Sequence, residues 1–186
     1  MTLTLFGFPP STYTQSARLL CGEVGANYEL QGLEFHQPSH FALHPFGKMP
    51  VLQHDDITVY ETLAIAVYLD DVFNDGSLQP TNAAARARMF QWISSAIDYG
   101  YPSLVSAMHD ESPTPEAIAG AGSTLSVLNV SCSNRFLVGA TVTLADFVLY
   151  PMVGFVFEKL GEAPSGLTSL NAWYERMSER MQKVAR

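Results

Sequence analysis

The chain has 186 residues, 47% of them hydrophobic, and a formal net charge of −8. That is enough chain and enough apolar material for one or two packed domains, and it excludes a disordered composition. The acidic balance excludes a nucleic acid or an anionic membrane as partner, and it leaves an anionic small ligand dependent on local donors.

The first half alternates strands and helices. Residues 2–6, TLTLF, have the period of a strand. GFPPST turns the chain into a helix over STYTQSARLLCGEVG that ends at Gly25, with Thr12 and Gln15 placed to form a capping box. ANYELQGLEF predicts a second strand, and residues 36–47 read as irregular, broken by Pro38 and Pro45. MPVLQH and ITVYE predict two short strands joined by a tight turn at Asp55-Asp56. A helix then runs from Thr62 to about Phe73, with Ile65, Leu69, Val72 and Phe73 on its apolar stripe. The order β-α-β, link, β-β-α requires a crossover and predicts a small mixed sheet.

Residues 74–84, NDGSLQPTNAA, have linker composition, and no strand signal of similar strength follows. A long helix is predicted over 85–109, with Phe90, Trp92, Ile93, Ile97, Tyr101 and Leu104 as its apolar positions. A helix of small residues follows from Pro115 to Ser131. TVTLADFVLYPMVGFVFEKL predicts the core helix of this half, opened by a Thr143/Asp146 capping box with Val142 stapling to Phe147. A last helix covers about Leu167 to Gln182.

Chemistry-bearing residues are sparse. Cys21 and Cys132 make no CxxC or zinc spacing and no disulfide framework, which fits a reducing, cytoplasmic compartment. No charged-then-apolar leader and no run of 18 apolar residues occurs, so neither secretion nor membrane spanning is expected. His36, His40 and His44 recur at four-residue spacing, but Pro38 interrupts any single helix face and no carboxylate or cysteine joins them, so no metal is expected.

FGKMPVLQHDDITVYETLAIAVYL resembles the cytosolic glutathione S-transferase signature, in which a Gly-Lys/Gln-x-Pro-x-Leu strand leads through a hairpin to Glu-Ser-x-Ala-Ile. TVTLADFVLYPM resembles that family's Ser/Thr-x-x-Asp capping motif, and LTLFGFPPST followed by GEVGANYEL resembles its opening strand and first helix. The resemblance covers nearly the whole chain, with the motifs in the family's order. It departs in three places: Thr62 stands for the usual serine, the helical half is shortened between about 109 and 125, and Arg180-Met181 replaces the usual Arg-Pro.

The resemblance implies an α/β thioredoxin-like N-terminal domain, residues 1–75, and an all-α helical C-terminal domain, residues 84–186. It implies a cytoplasmic, homodimeric transferase of the serine-type, bacterial-like branch, serving detoxification, with glutathione as co-substrate and a hydrophobic electrophile as acceptor. A cis Pro50 would turn the Met49 backbone to the cysteinyl part of glutathione. Glu61 would balance the γ-glutamyl ammonium, Thr62 and the helix start would take the γ-glutamyl carboxylate, and Lys48 would pair with the glycyl carboxylate. His36 and His40 are further contact candidates. Ser11, fourteen positions before Gly25 as in serine-type members, would stabilise the thiolate, with Tyr13 as the alternative. Trp92, Tyr99 and Tyr101 are candidates for an acceptor pocket between the domains. Two alternatives stand: a non-catalytic transferase-like module that binds a ligand or protein, and a specialised glutathione-dependent isomerase or ether-cleaving enzyme.

Overall fold

The structure, a computed structural model, describes residues 3–161 and 164–184. It divides into two compact units, one ending at Ser77 and one running from Leu78 to Val184.

The first unit is built on a four-stranded sheet of β1 (Leu3–Phe6), β2 (Glu29–Gln31), β3 (Val51–His54) and β4 (Ile57–Tyr60), in spatial order β2-β1-β3-β4. β1 pairs parallel with β2 and antiparallel with β3, and β3 pairs antiparallel with β4. The sheet is therefore mixed. Helices α1 (Thr12–Glu23) and α3 (Thr62–Asn74) pack on each other. Leu5, Leu20, Cys21, Leu52, Ile65 and Leu69 are wholly buried in this unit. The β3–β4 turn falls on Asp55-Asp56 as expected, and Asp55 takes the left-handed conformation at φ 52°.

Four local expectations are corrected. The N-cap of α1 is Ser11, whose Oγ accepts from the Thr14 N–H at 3.3 Å; Thr12 is already helical, and Gln15 donates to the Pro9 carbonyl instead. The second strand is only three residues long, Glu29–Gln31, as befits an exposed sheet edge. The link over 36–47 contains a short helix, α2 (Pro38–Leu43), because proline at the first helical position supplies the right φ and lacks an N–H that would be unpaired there anyway. On α3 the buried stripe is Thr62, Ile65, Ala66, Leu69 and Asp70, while Val72 is exposed.

The second unit holds α4 (Ala83–Ser95), a π-helical segment (Ala96–Ser106) continuous with it, α5 (Pro115–Ser131), α6 (Leu144–Leu160) and α7 (Thr168–Val184). The uniform helix expected over 85–109 thus widens at Ala96. Pro102 gives the cause: in an α-helix its ring would strike the carbonyl four residues back, and its N–H would be missing from the ladder. The wider turn shows in the Ala107 N–H, which donates to Pro102 O at 2.9 Å, five residues back.

Helix α6 is the core helix, as its composition predicts, with eleven buried residues. Its capping box is formed by Thr143 and Asp146. The buried Asp146 carboxylate also accepts from Leu137 N at 3.1 Å and from Trp173 Nε1 at 2.8 Å, so one side chain ties the start of α6 to the preceding loop and to α7. Burial pushes its carboxyl above the usual range, and these donors pull against that push.

Candidate functional site

Register decides where the candidate residues meet. Phe6, the last residue of β1, pairs with Val51, the first of β3, and Val51 pairs with Tyr60, the last of β4. Parallel pairing puts Gln31, the end of β2, beside Phe6 as well. Four loop ends therefore emerge at one end of one sheet. They carry Ser11 after β1, the segment starting at Gly32 after β2, Met49-Pro50 before β3, and Glu61-Thr62 after β4.

Ser11 is half-buried and extended, at φ −67° and ψ 124°, and it caps α1. Its Oγ serves the cap through a lone pair. Among the described residues its O–H proton has no acceptor, so the same hydroxyl can cap the helix and donate outward. Tyr13 sits on the first turn of α1, half-buried. Gly7 fits only without a side chain: a Cβ there would lie 2.5 Å from Thr14 Oγ1, so β1 and the start of α1 approach as closely as glycine permits.

The Met49–Pro50 peptide bond is cis. Met49 is half-buried, and among the described residues neither its N–H nor its C=O makes a hydrogen bond. Glu61 is exposed and adopts φ 72°, ψ 124° as the N-cap of α3 without a side-chain cap bond. A non-glycine residue at positive φ is uncommon, and here it leads directly into the α3 amino end, where unpaired N–H groups and the helix dipole favour an anion. Thr62 follows as the first helical residue and is 6% exposed. Lys48 is exposed.

The histidines do something the sequence did not reveal. His40 is 1% exposed; its Nδ1 accepts from the His36 N–H at 3.2 Å, and its Nε2 lies 2.9 Å from the Lys48 carbonyl. His44 is also buried, and its Nδ1 accepts from Phe46 N at 3.2 Å. Its ring lies 4.6 Å from that of Tyr60, the residue before Glu61. Burial holds the His44 imidazole below its ordinary pKa, and the Glu61 carboxylate partly offsets that. His36 is exposed at φ 59°. The four-residue spacing was the visible signal. What it encodes is a packed loop, and no group of three or more metal-ligating side chains occurs among the described residues.

Cys21 is wholly buried, and burial pushes its thiol up to about 12. It is a packing residue of α1. In the helical unit, Trp92 and Tyr99 line a pocket of about 380 Å³ with Ser95, Thr124, Val127 and Leu149. All its walls belong to this unit, and Tyr101 is not among them. No helix among the described residues is long and apolar enough to cross a membrane.

Comparison with known proteins agrees with this geometry. Residues 1–71 match the family "Glutathione S-transferase, N-terminal domain", and residues 93–180 match "Glutathione S-transferase, C-terminal domain". The chain is 25% identical over 202 residues to glutathione S-transferase F10 of Arabidopsis thaliana, covering 97% of this chain and 94% of that protein. It is 32% identical over 136 residues to elongation factor 1-gamma 1 of Oryza sativa subsp. japonica, covering 68% of this chain but only 32% of that protein, so it spans about a third of that relative. Its fold matches that of a diazinon-metabolizing glutathione S-transferase from the silkworm, Bombyx mori, with a TM-score of 0.89 at 21% identity over 99% of this chain and 96% of the other. With a thioredoxin-like α/β unit, a helical unit and family matches across both, the chain belongs to the glutathione S-transferase family.

Proposed function

We propose that this family member is a serine-type glutathione transferase that holds glutathione as the thiolate and directs it onto a hydrophobic electrophile. The observation that carries the proposal is the meeting, at one sheet end, of the Ser11 hydroxyl, the unpaired Met49 backbone and the α3 amino end. Residues 1–75 form the glutathione-binding domain and residues 84–186 the helical domain. The protein works as a cytoplasmic homodimer in detoxification.

Each group has a role set by its chemistry. The Met49 N–H and C=O pair with the cysteinyl backbone as an added edge strand would. The α3 N–H groups and the Thr62 hydroxyl take the γ-glutamyl carboxylate, and Glu61 takes the ammonium. Lys48 pairs with the glycyl carboxylate. Ser11 donates its O–H to the sulfur. A free thiol with a pKa near ~8.5 is a few per cent ionised at neutral pH. Lowering that value by ~2 units takes ~2.7 kcal/mol of preferential thiolate stabilisation. A charge-assisted hydrogen bond and the α1 amino end supply energies of that order. The sulfur lone pair then forms the bond to the electrophilic carbon, whose leaving group departs with the bonding electrons.

A second proposal has one observation in its favour. The 32% identity to elongation factor 1-gamma 1 joins the chain to a protein named for elongation and not for transfer chemistry. In that case the same site binds glutathione or a peptide without turnover. Calorimetry with glutathione, ultraviolet thiolate absorbance of the complex, and turnover of a dinitrochlorobenzene separate the two. Binding with a lowered thiol pKa and turnover supports the transferase. Binding without ionisation or turnover supports the module, and absence of glutathione binding rejects the transferase.

A further inference from the structure

His40 offers two ring nitrogens, and both are committed within the chain. Nδ1 accepts from the His36 N–H at 3.2 Å, so it carries no proton. A carbonyl can only accept, so Nε2, 2.9 Å from Lys48 O, carries the proton and donates. One neutral tautomer therefore bridges residues twelve positions apart, His36 and Lys48. The bridge is buried, with His40 1% exposed and its ring edge-on to Phe35 at 5.1 Å. Independent packing closes the same arc: a Cβ on Gly47 would lie 3.0 Å from the Phe41 ring and 3.2 Å from that of His36. His36 itself is held at φ 59°, a conformation that costs energy for a non-glycine residue and persists where its surroundings fix it.

Lys48 precedes Met49 directly, and its carbonyl belongs to the peptide plane that contains the Met49 N–H. A donor fixed on that carbonyl sets the orientation of the N–H on its other side. We infer that His40 is a positioning residue: it does not touch glutathione, and it aims the Met49 backbone by gripping the Lys48 carbonyl. This rests on the glutathione site proposed above. It replaces the expected direct contact, because with both nitrogens engaged His40 has no polar ring atom left for a ligand.

Two substitutions divide the bridge. His40→Gln places an amide N–H where Nε2 stands and keeps the bond to Lys48. His40→Asn places an amide oxygen where Nδ1 stands, keeps the bond to His36, and falls short of Lys48. Both introduce a polar amide of similar burial, so a general loss of packing would affect them alike. The expected result is that His40→Asn raises the KM for glutathione by about ten- to a hundredfold with kcat at saturating glutathione within about twofold. His40→Gln stays within about threefold of wild type in both constants.

A ligand-free readout accompanies the kinetics. The Gly47 N–H donates to His44 O at 2.8 Å and reports on the arc. Its hydrogen exchange should speed up about tenfold or more in His40→Asn and remain near wild type in His40→Gln. Equal KM changes in the two variants, or unchanged Gly47 exchange in His40→Asn, would overturn the inference. If wild type binds no glutathione while the exchange pattern holds, the ligand assignment falls and the grip on Lys48 stands.

Discussion

Ser11 caps α1, and the proposed reaction gives the same oxygen a second role, so the two can be separated. As the N-cap of α1 it satisfies the Thr14 N–H, and losing such a cap costs about 0.5–2 kcal/mol. As the proposed thiolate donor it would use its proton. Ser11→Ala removes both, so stability should fall by about 1 kcal/mol and turnover at neutral pH by about ten- to a hundredfold. Ser11→Asp keeps a good cap but brings a negative charge in place of the donor. It should retain wild-type stability in urea unfolding while losing turnover at least as severely. If Ser11→Asp keeps activity, the hydroxyl is a cap and nothing more. Tyr13→Phe is the matched control: should it raise the thiol pKa of bound glutathione while Ser11→Ala leaves it unchanged, Tyr13 is the activating residue. A related test sits at the other end of the ligand, where Glu61→Ala and Thr62→Ala should each weaken glutathione binding by about ten- to a hundredfold in calorimetry without changing the fold. The candidate positions were readable because they sit at element ends, where Gly, Pro and cap residues punctuate the chain. The contacts of His40 and His44 were not, because a buried histidine finds its partners only in the folded chain, here Lys48 and Tyr60.

Elements with strong periodicity or strong caps could be read from sequence almost to the residue. Helix α6 begins at Leu144 behind the expected Thr143/Asp146 box, and the β3–β4 turn falls on Asp55-Asp56. Two of the differences share one physical source, the double meaning of proline. Pro38 starts α2 in a link whose prolines predict irregular chain, and Pro102 lies inside a helix that widens around it. Whether proline starts, stops or deforms a helix depends on the hydrogen bonds available around it, which composition does not show. The contact of α6 with α7 was equally hidden. Gly154 on α6 faces Tyr174, and a Cβ there would lie 2.8 Å from the Tyr174 hydroxyl oxygen. Tyr174 stacks at 4.8 Å on Tyr150, whose hydroxyl hydrogen-bonds Ser178, so the ring has little room to yield. Gly154→Ala should therefore cost about 1–3 kcal/mol despite its better helix propensity. In a Tyr174→Phe background the offending oxygen is gone, and the cost should fall to less than half. Urea unfolding of the four proteins in the cycle measures it; additive effects would show that the two residues do not press on each other.

At the scale of the whole molecule, the order of the main elements was legible and the pocket of the helical unit was not, since walls such as Trp92, Tyr99 and Leu149 come together only by folding. The whole molecule should also have an alkaline limit set in part by its two thiols. Cys21 lies in the first unit and Cys132 in the second, and burial pushes each from 9.0 up to about 12. At neutral pH both thiols are protonated, folded or unfolded, and stability does not depend on them. Above pH 9 an unfolded chain releases these protons while the folded one keeps them, so the unfolded state gains. The stabilising contribution is thus complete below about 9 and is lost as pH rises towards about 12, at about 1.4 kcal/mol per pH unit for each thiol. Tyr174, raised from 10.0 to about 12 by burial, adds to the fall at its upper end. Unfolding free energies should therefore decline steeply between about pH 9 and 11. Cys21→Ala and Cys132→Ala should each be less stable at pH 7, from the small void they leave, yet each should flatten the alkaline limb by about one thiol's share. A disulfide reagent at neutral pH should label neither cysteine in the folded protein and both once urea unfolds it. Because one thiol sits in each unit, the urea dependence of labelling in the two single-cysteine variants shows whether the units open together or apart. An alkaline limb as steep in the double alanine variant as in wild type would mean that other groups set the limit.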